Sequence, residues 1–403
     1  MRALNVDSDF VRRVALKPVP QAIGGATRLI PSLPTLWPHM LLPNANVRAE
    51  SLPPPFGIRS ARYWYFARNA VWHAANLFDL AGSEMLMPAY FHGVEVDALR
   101  AAGVHLVWVR VDRRMQLDLA DARAKCTPRT RAIYAIHYAG FPQDLDGLSD
   151  LCRERGLFLL EDCALSLLSS HRGRWLGTVG DAAIFCLYKT LPVPNGGALV
   201  VKDRDLAFLS ASHAPTLLTT ASHAASQLMA NLELRAGAWT TPLRTGLREA
   251  ARWMARQRGA VRVSTGTQRF EVGNADLGMS ALSDQIIRGL DLAAIVQRRR
   301  RNYQRLAAAF EGSSFNRDLS DGVCPLFVPL ETLDKSRVLA RLLARGISAI
   351  DFWRTPHPHG PALGTFPEVD ALRETVLELP CHQDLEDEDI DRMIVEVRAA
   401  VRG

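Results

Sequence analysis

Leu157-Phe158-Leu159-Leu160-Glu161-Asp162 runs four apolar residues straight into two acids. An apolar run of this length reads as a strand buried on both faces. In an open α/β sheet, ligands gather at the carboxyl ends of such strands, which is where Asp162 falls. A strand-end acid capping its own turn is the plainer alternative. Downstream, Ala183-Ile184-Phe185-Cys186-Leu187-Tyr188-Lys189-Thr190-Leu191-Pro192 is a second apolar run that carries Lys189 near its end. The chain holds five lysines (Lys17, Lys125, Lys189, Lys202 and Lys335) among 48 basic residues, so arginine supplies nearly all of its surface charge. A lysine kept within an apolar segment of such a chain calls for a chemical reason. Its amine can shed a proton and act as a nucleophile, which a guanidinium cannot. A lysine snorkelling from a strand end to water is the alternative. Asn195-Gly196-Gly197 then supplies a turn that reverses the chain or lets backbone approach a ligand.

Working outward, the pattern predicts a helix over 70–80, a strand over 84–88, a helix over 94–102 and a strand over 104–111. A helix over 117–125, a strand over 131–137 and a helix over 145–155 follow, leading into the strand over 157–161. Strands alternating with helices of this size imply an α/β fold with a mainly parallel sheet wrapped on both faces. The runs 182–188 and 198–202 have no helix between them and are expected in the same sheet. Residues 204–262 are rich in Ala, Leu and Arg and read as a helical insertion, and 282–310 reads as one long helix. Strands over 324–329 and 348–352, with helices over 335–345 and 386–402, make a small α+β unit. The organisation expected is an irregular, proline-rich arm over 1–60, a large domain over 61–280, and a bridging helix with a small C-terminal domain over 281–403.

The composition is 48% hydrophobic and 22% charged, with a net charge of +6, which fits a globular chain and argues against extensive disorder. The densest basic run, Arg298 to Arg301, falls in a helical pattern and reads as a solvated helix face rather than a nucleic-acid patch. Cys126, Cys152, Cys163, Cys186, Cys324 and Cys381 form no CxxC pair and no zinc-spaced cluster, so no metal is expected, and scattered thiols suit a reducing cytoplasm. No secretory signal or membrane-spanning run is apparent, and neither a membrane nor a nucleic acid is expected as a partner.

An acid and a lysine at the ends of two strands are what pyridoxal 5'-phosphate (PLP) requires: an acid for the pyridinium nitrogen and an amine for covalent attachment. Further stretches, kept in order from about residue 67 onward, resemble the DegT/DnrJ/StrS family of PLP-dependent sugar aminotransferases. They are Met87-Pro88-Ala89-Tyr90, Thr127-Pro128-Arg129-Thr130-Arg131-Ala132-Ile133, His137-Tyr138-Ala139-Gly140-Phe141-Pro142, Glu161-Asp162-Cys163-Ala164, Gly173-Arg174 with Gly180-Asp181, Met279-Ser280 through Leu290, and Leu379-Pro380-Cys381-His382. The resemblance implies the aspartate-aminotransferase (fold type I) architecture. It also implies Lys189 as the catalytic, Schiff-base lysine and Asp162 as the pyridinium partner. Asn69 and the amide of Ala70 fall at the helix N-terminus that meets the phosphate, His92 falls where an aromatic ring stacks on the cofactor, and Cys186 stands where a phosphate-binding serine is usual.

Some positions depart from the family. Leu165 replaces a glutamine beside the ring hydroxyl, and Asp276 and Gly278 replace an Asn and a basic residue that reach the neighbouring subunit's site. Arg68 replaces a glycine; it could bind a phosphate of cofactor or substrate, with a solvent-facing arginine as the alternative. The activity implied is transfer of an amino group from an amino acid donor to a keto sugar, free or nucleotide-linked, in polysaccharide or natural-product biosynthesis, by a homodimer. Two alternatives stay open: a PLP enzyme acting on a non-sugar substrate, and a non-catalytic scaffold or regulator of the same fold.

Overall fold

The structure, a computed structural model, describes residues 28–42, 52–246 apart from 205, 207, 210 and 212, residue 249, and 269–311 and 319–402. Of the irregular arm expected over 1–60, residues 28–42 and 52–60 are described and the rest lies outside the described residues. Of the insertion expected over 204–262, residues 251–262 and several isolated positions also lie outside them.

In chain order the large sheet draws on β1 (Arg62–Trp64), β2 (Glu84–Pro88), β3 (His105–Val109), β4 (Thr130–Ile136) and β5 (Phe158–Asp162). After a two-stranded hairpin, β6 (Ser170–His171) and β7 (Arg174–Trp175), come β8 (Ala182–Cys186) and β9 (Gly197–Val201). The order is β1-β9-β8-β5-β4-β2-β3. Strands β3, β2, β4, β5 and β8 are parallel, while β9 runs antiparallel to β8 and to β1. The intervening helices are α1 (Ala67–Leu77), α2 (Val94–Ala101), α3 (Leu119–Lys125) and α4 (Leu145–Arg155). Along β4 the alternation of side chains separates two cores. Ala132, Tyr134 and Ile136 pack with Ala70, Val71 and Ala74 of α1, whereas Ile133 and Ala135 pack with Leu148 and Leu151 of α4. Helices therefore cover both faces, and the α/β class expected from the sequence is the one observed.

Beyond β9 come α5 (Leu217–Ala236), α6 (Ala281–Arg288) and α7 (Leu292–Ala309). The single long helix expected over 282–310 is thus two. Gly289 caps α6, and the Asp291 side chain accepts a hydrogen bond from Ala294 N at 2.9 Å to open α7, so a glycine followed by a strong N-cap restarts the helix. The basic run is corrected as well. Arg299 is 0% exposed and donates to the carbonyls of Thr190, Pro325 and Leu326 and to Gln383.

A small sheet of order β10-β12-β11 follows, from β10 (Phe327–Glu331), β11 (Ile350–Asp351) and β12 (Val376–Pro380), with both pairings antiparallel. Helices α8 (Lys335–Ala344), α9 (Pro367–Thr375) and α10 (Asp387–Arg402) complete it. Strand β12 and helix α9 escape the sequence pattern because a glutamate interrupts the apolar run of one and the other is short. Thr35 N and Oγ donate to Asp384 Oδ2 at 2.5 and 2.7 Å, so the described part of the N-terminal arm is anchored beside this unit.

The N-terminus of α1 lies against β9. A Cβ built on Gly197 would stand 2.2 Å from Ala67 N and from the Phe66 carbonyl carbon, contacts with backbone that has no room to yield. Gly197→Ala is expected to lower stability by ~1–3 kcal/mol, the usual cost of overpacking. Chemical denaturation of the variant checks this; an unchanged midpoint would show that the helix can shift.

Candidate active site

Adjacent residues of β5 point to opposite faces of the sheet, so Glu161 and Asp162 meet different surroundings. Glu161 is fully buried and accepts four N–H donors: His137 Nε2 at 3.0 Å and the amides of Gly177, Val179 and Gly180 at 2.9, 2.9 and 2.6 Å. His137 Nδ1 accepts the Gln143 amide at 3.0 Å, which leaves Nε2 as the protonated nitrogen that donates to Glu161. Burial pushes the Glu161 carboxyl up, but the bonds from His137, Gly180 and Gly177 prevail and hold it below the usual carboxylate range. His137, Glu161 and Cys163 are close enough together to suggest a metal site. However, the Glu161 oxygens and both imidazole nitrogens are occupied by these hydrogen bonds, so the group is a structural network.

Asp162 faces the other way, into the cleft beside β4. Tyr134 Oη donates to its Oδ2 at 2.9 Å and the Ala164 amide to its Oδ1 at 2.8 Å, which leaves lone pairs free on both oxygens. Burial pushes its pKa up, opposed by the Ala164 amide, the Lys189 charge and the Tyr134 hydroxyl. Lys189 sits in the turn that follows β8, the parallel neighbour of β5. Its charge acts on Asp162, His92, Glu95, Cys186 and Glu378, and among the described residues its amine has no hydrogen-bond or ion-pair partner.

Past the end of β2, His92 keeps an accessible surface although protein atoms crowd around it, as befits a side chain lining a cleft. That crowding, with the charges of Lys189, Arg68 and His357, lowers its pKa to about 3, so the ring is neutral. Its amide donates to Glu95 Oε1 at 2.8 Å, and the Gly93 amide donates to Oε2 at 3.1 Å. Tyr90, Tyr138 and Trp353 cluster nearby, with ring centroids 5.0–5.7 Å apart, and His92 meets Trp353 edge-on at 6.1 Å.

The start of α1 forms another wall. The helix begins at Ala67, so Ala70 is its fourth residue, a position whose amide the helix itself uses; the outward-facing amides lie before it. The Asn69 amide turns to the Phe66 carbonyl at 3.2 Å, and its side chain donates to the Asn274 carbonyl at 2.8 Å. Arg68 is buried rather than solvent-facing, with its guanidinium 3.6 Å from the centre of the Phe66 ring. Burial lowers its pKa, opposed by Tyr188, Glu271, Cys186 and Tyr65. Cys186, at the end of β8, is sealed in the same corner, and burial raises its thiol.

The structure thus brings Lys189, Asp162, His92, Arg68 and Cys186 into one electrostatically linked cluster, with Asn69 and Ala70 on the helix beside Arg68. Of the departures from the family pattern, Leu165 is buried in the core. Asp276 lies 3.2 Å from His73 Nε2, and Gly278 bridges to Trp64. Sequence reasoning missed Glu95, Tyr134, Trp353 and Glu378. Glu378 did leave a signal, as the lone acid in Val376-Leu377-Glu378-Leu379-Pro380.

Comparison with known proteins shows what the chain resembles. Residues 69–213 match the model of the DegT/DnrJ/EryC1/StrS aminotransferase family. GDP-perosamine synthase of Escherichia coli O157:H7 is 32% identical over 128 residues, which is 31% of this chain and only 35% of that protein. A dTDP-4-dehydro-2,3,6-trideoxy-D-glucose 4-aminotransferase of Saccharopolyspora spinosa is 28% identical over 349 residues, 82% of each chain. Among solved structures, Spr1654 of Streptococcus pneumoniae in its PLP form superposes with a TM-score of 0.67 at 15% identity, covering 93% of this chain and 99% of that one. Residues 69–213 are thus similar to the DegT/DnrJ/EryC1/StrS aminotransferase family, whose members use PLP.

The Glu161 network yields a stability prediction. Its folded pKa is depressed, so its contribution is complete above the ordinary carboxylate pKa and is lost as pH falls through the lower folded value. Glu161→Gln should cost about 3 kcal/mol at pH 7, because an amide cannot accept from all four donors. The variant should also lose less stability than the wild type on acidification. Denaturation midpoints at pH 7 and pH 4 measure both effects, and parallel pH curves for the two proteins would refute the assignment.

Proposed function

We propose that this chain is a PLP-dependent aminotransferase that passes an amino group from an amino acid such as glutamate to a keto sugar, free or nucleotide-linked, in polysaccharide or natural-product biosynthesis. The observation that carries this reading is the unpaired Lys189 amine at the end of β8, in the field of Asp162 at the end of the neighbouring parallel strand β5. Two relatives carry names that contain a sugar nucleotide, which supports a nucleotide-linked acceptor.

The residues present fit the cofactor. Asp162 has free lone pairs for the ring nitrogen, Lys189 supplies an amine for covalent attachment, and the start of α1 supplies amides for a phosphate. Arg68 adds a fixed positive charge there, Cys186 closes that corner, and the neutral ring of His92 offers a flat surface for stacking. When bound, PLP withdraws electrons from the substrate carbon that bears the amine. Asp162 keeps the proton on the ring nitrogen, which sustains that withdrawal. Lys189 Nζ takes the proton from the donor's α-carbon and delivers it on the other side of the same short path. Tyr134 and the Ala164 amide orient the Asp162 carboxylate. Trp353 and Tyr138 give this side of the site an aromatic wall.

A large cofactor-binding unit over 61–280 and a smaller one over 281–403, paired as a homodimer, complete the reading. Leu217, 88% exposed, and the exposed Phe208, Trp239 and Leu243 offer apolar surface for a second copy. No helix among the described residues is long and apolar enough to cross a membrane. All six cysteines are free, which supports a cytoplasmic location.

Borohydride reduction of the holoprotein followed by peptide mapping is expected to place the cofactor mass on the peptide containing Lys189. A label on another lysine, or none, would overturn the reading. Asp162→Asn should retain bound cofactor while the rate of amino transfer from glutamate drops on the order of 10²–10³-fold, the scale of a lost preorganised charge. Undiminished turnover in this variant would reduce Asp162 to a strand cap.

A further inference from the structure

Glu378 sits at the centre of β12, paired with Pro329 of β10 and Ile350 of β11, and its neighbours Leu377 and Leu379 are fully buried. The glutamate is only 7% exposed, yet among the described residues its carboxyl has no hydrogen-bond or ion-pair partner. Other buried acids are answered. Glu84 has Thr127 and Arg129, Glu95 has two amides, Glu233 has Arg244 and Thr241, and Asp384 has Thr35. The Glu378 oxygens are not among the sealed, unpartnered polar atoms, which are Trp64 Nε1, Ser166 Oγ, Gln227 Oε1, Arg235 Nε, Asn302 Oδ1 and His382 Nδ1. The carboxyl therefore borders open space.

The strand partner of Glu378, Ile350, lies two residues before Phe352, whose carbonyl accepts from Tyr90 Oη at 3.4 Å, so Glu378 stands near the Tyr90 end of the site, within the fields of Lys189 and Lys335. Lys335 is already engaged by Asp351 at 2.6 Å and by the carbonyls of Phe352 and Arg373 at 3.0 and 2.9 Å. Lys189 is not. An unanswered acid on the small sheet thus lies within the field of an unanswered amine beside the large one. A leucine in this strand would pack with less penalty, so the acid destabilises the fold unless a ligand meets it.

Resting on the aminotransferase reading above, we propose that Glu378 hydrogen-bonds a hydroxyl group of the amino acceptor and so selects hydroxylated ketones over keto acids. A cationic ligand group is disfavoured here, since Lys189, Lys335 and Arg373 already concentrate positive charge. A hydroxyl both donates and accepts, which complements a carboxyl kept protonated at neutral pH. Burial pushes Glu378 up to about 8, with Lys189 and Lys335 opposing. The other titratable groups around the strand are Tyr90, Cys381, Asp351 held by Lys335, Glu331 held by Arg113, and Arg373.

The test loads the holoenzyme with L-glutamate and then follows the return half-reaction by stopped-flow absorbance. The acceptors are dTDP-4-keto-6-deoxy-D-glucose, scyllo-inosose and the hydroxyl-free 2-oxoglutarate. Wild type should favour at least one hydroxylated ketone over 2-oxoglutarate at pH 7. Glu378→Leu should lower that preference about tenfold, the scale of one hydrogen bond, with the 2-oxoglutarate rate essentially unchanged. Wild-type preference should decline as pH rises from 7 to 9, while Glu378→Gln, which keeps a donor and an acceptor, holds it constant. This second variant decides the matter if the leucine protein does not fold. A wild type that returns neither hydroxylated ketone, a preference that survives Glu378→Leu, or one equally pH-dependent in wild type and Glu378→Gln overturns the proposal. Failure of glutamate to load the enzyme at all would instead refute the aminotransferase reading.

Discussion

The carboxylate of Glu161 is ionised where water cannot reach it, and it persists there because four N–H groups converge on its two oxygens. Those donors come from His137, beyond β4, and from the segment that leads into β8. One side chain therefore fixes three neighbouring strands relative to each other, tying the carboxyl ends of β4 and β5 to the start of β8. Asp162 is the next residue, and a strand turns successive side chains to opposite faces, so fixing Glu161 fixes the direction of Asp162. Tyr134, two residues before Ile136, the β4 partner of Asp162, lies on the same face and reaches its carboxylate. The geometry of the cleft floor thus depends on a network on the far side of the sheet.

This explains what the sequence could and could not reveal. Leu157 to Asp162 and Ala183 to Lys189 were legible because apolar runs that end in isolated polar groups violate ordinary patterning, and the violation marks the site. The parallel sheet was legible from alternating periods. The small sheet was only partly so: β11 has two residues and β12 contains a glutamate, and both are held by pairing with distant strands rather than by local pattern. The break between α6 and α7 was visible in Gly289 and Asp291, but the apolar spacing on either side outweighed those two residues. Arg299 shows the opposite failure. A run of arginines reads as surface, yet one of them is buried because its guanidinium donors are taken up by carbonyls of the Thr190 turn and of the lead-in to β10.

The cleft also has an electrostatic logic that no single motif contains. Burial and the neighbouring Asp162 raise the proton affinity of Glu95, while burial, Lys189 and Arg68 lower that of His92. Charges of both signs are gathered in a partly buried cluster, where each interaction is stronger than at an open surface. Such an arrangement is unfavourable for folding and favourable for chemistry, because groups already oriented toward a reacting centre need not reorganise.

The departures from the family pattern can be weighed in the same terms. Asp276 lies within reach of His73 on its own chain, and Gly278 has no side chain to extend, so neither offers a cation to a neighbouring site. Arg68, by contrast, places a guanidinium inside the cleft, over Phe66 and close to Cys186 and Tyr188, at the opening of α1. The stacked Phe66 ring helps to hold that charge in place. On the proposed reading an anion at the helix opening pairs with it, and the positive charge missing at Gly278 is restored from within the same chain. A fixed guanidinium beside a helix opening is what recognition of a phosphate uses, so Arg68 weighs on the side of an enzyme.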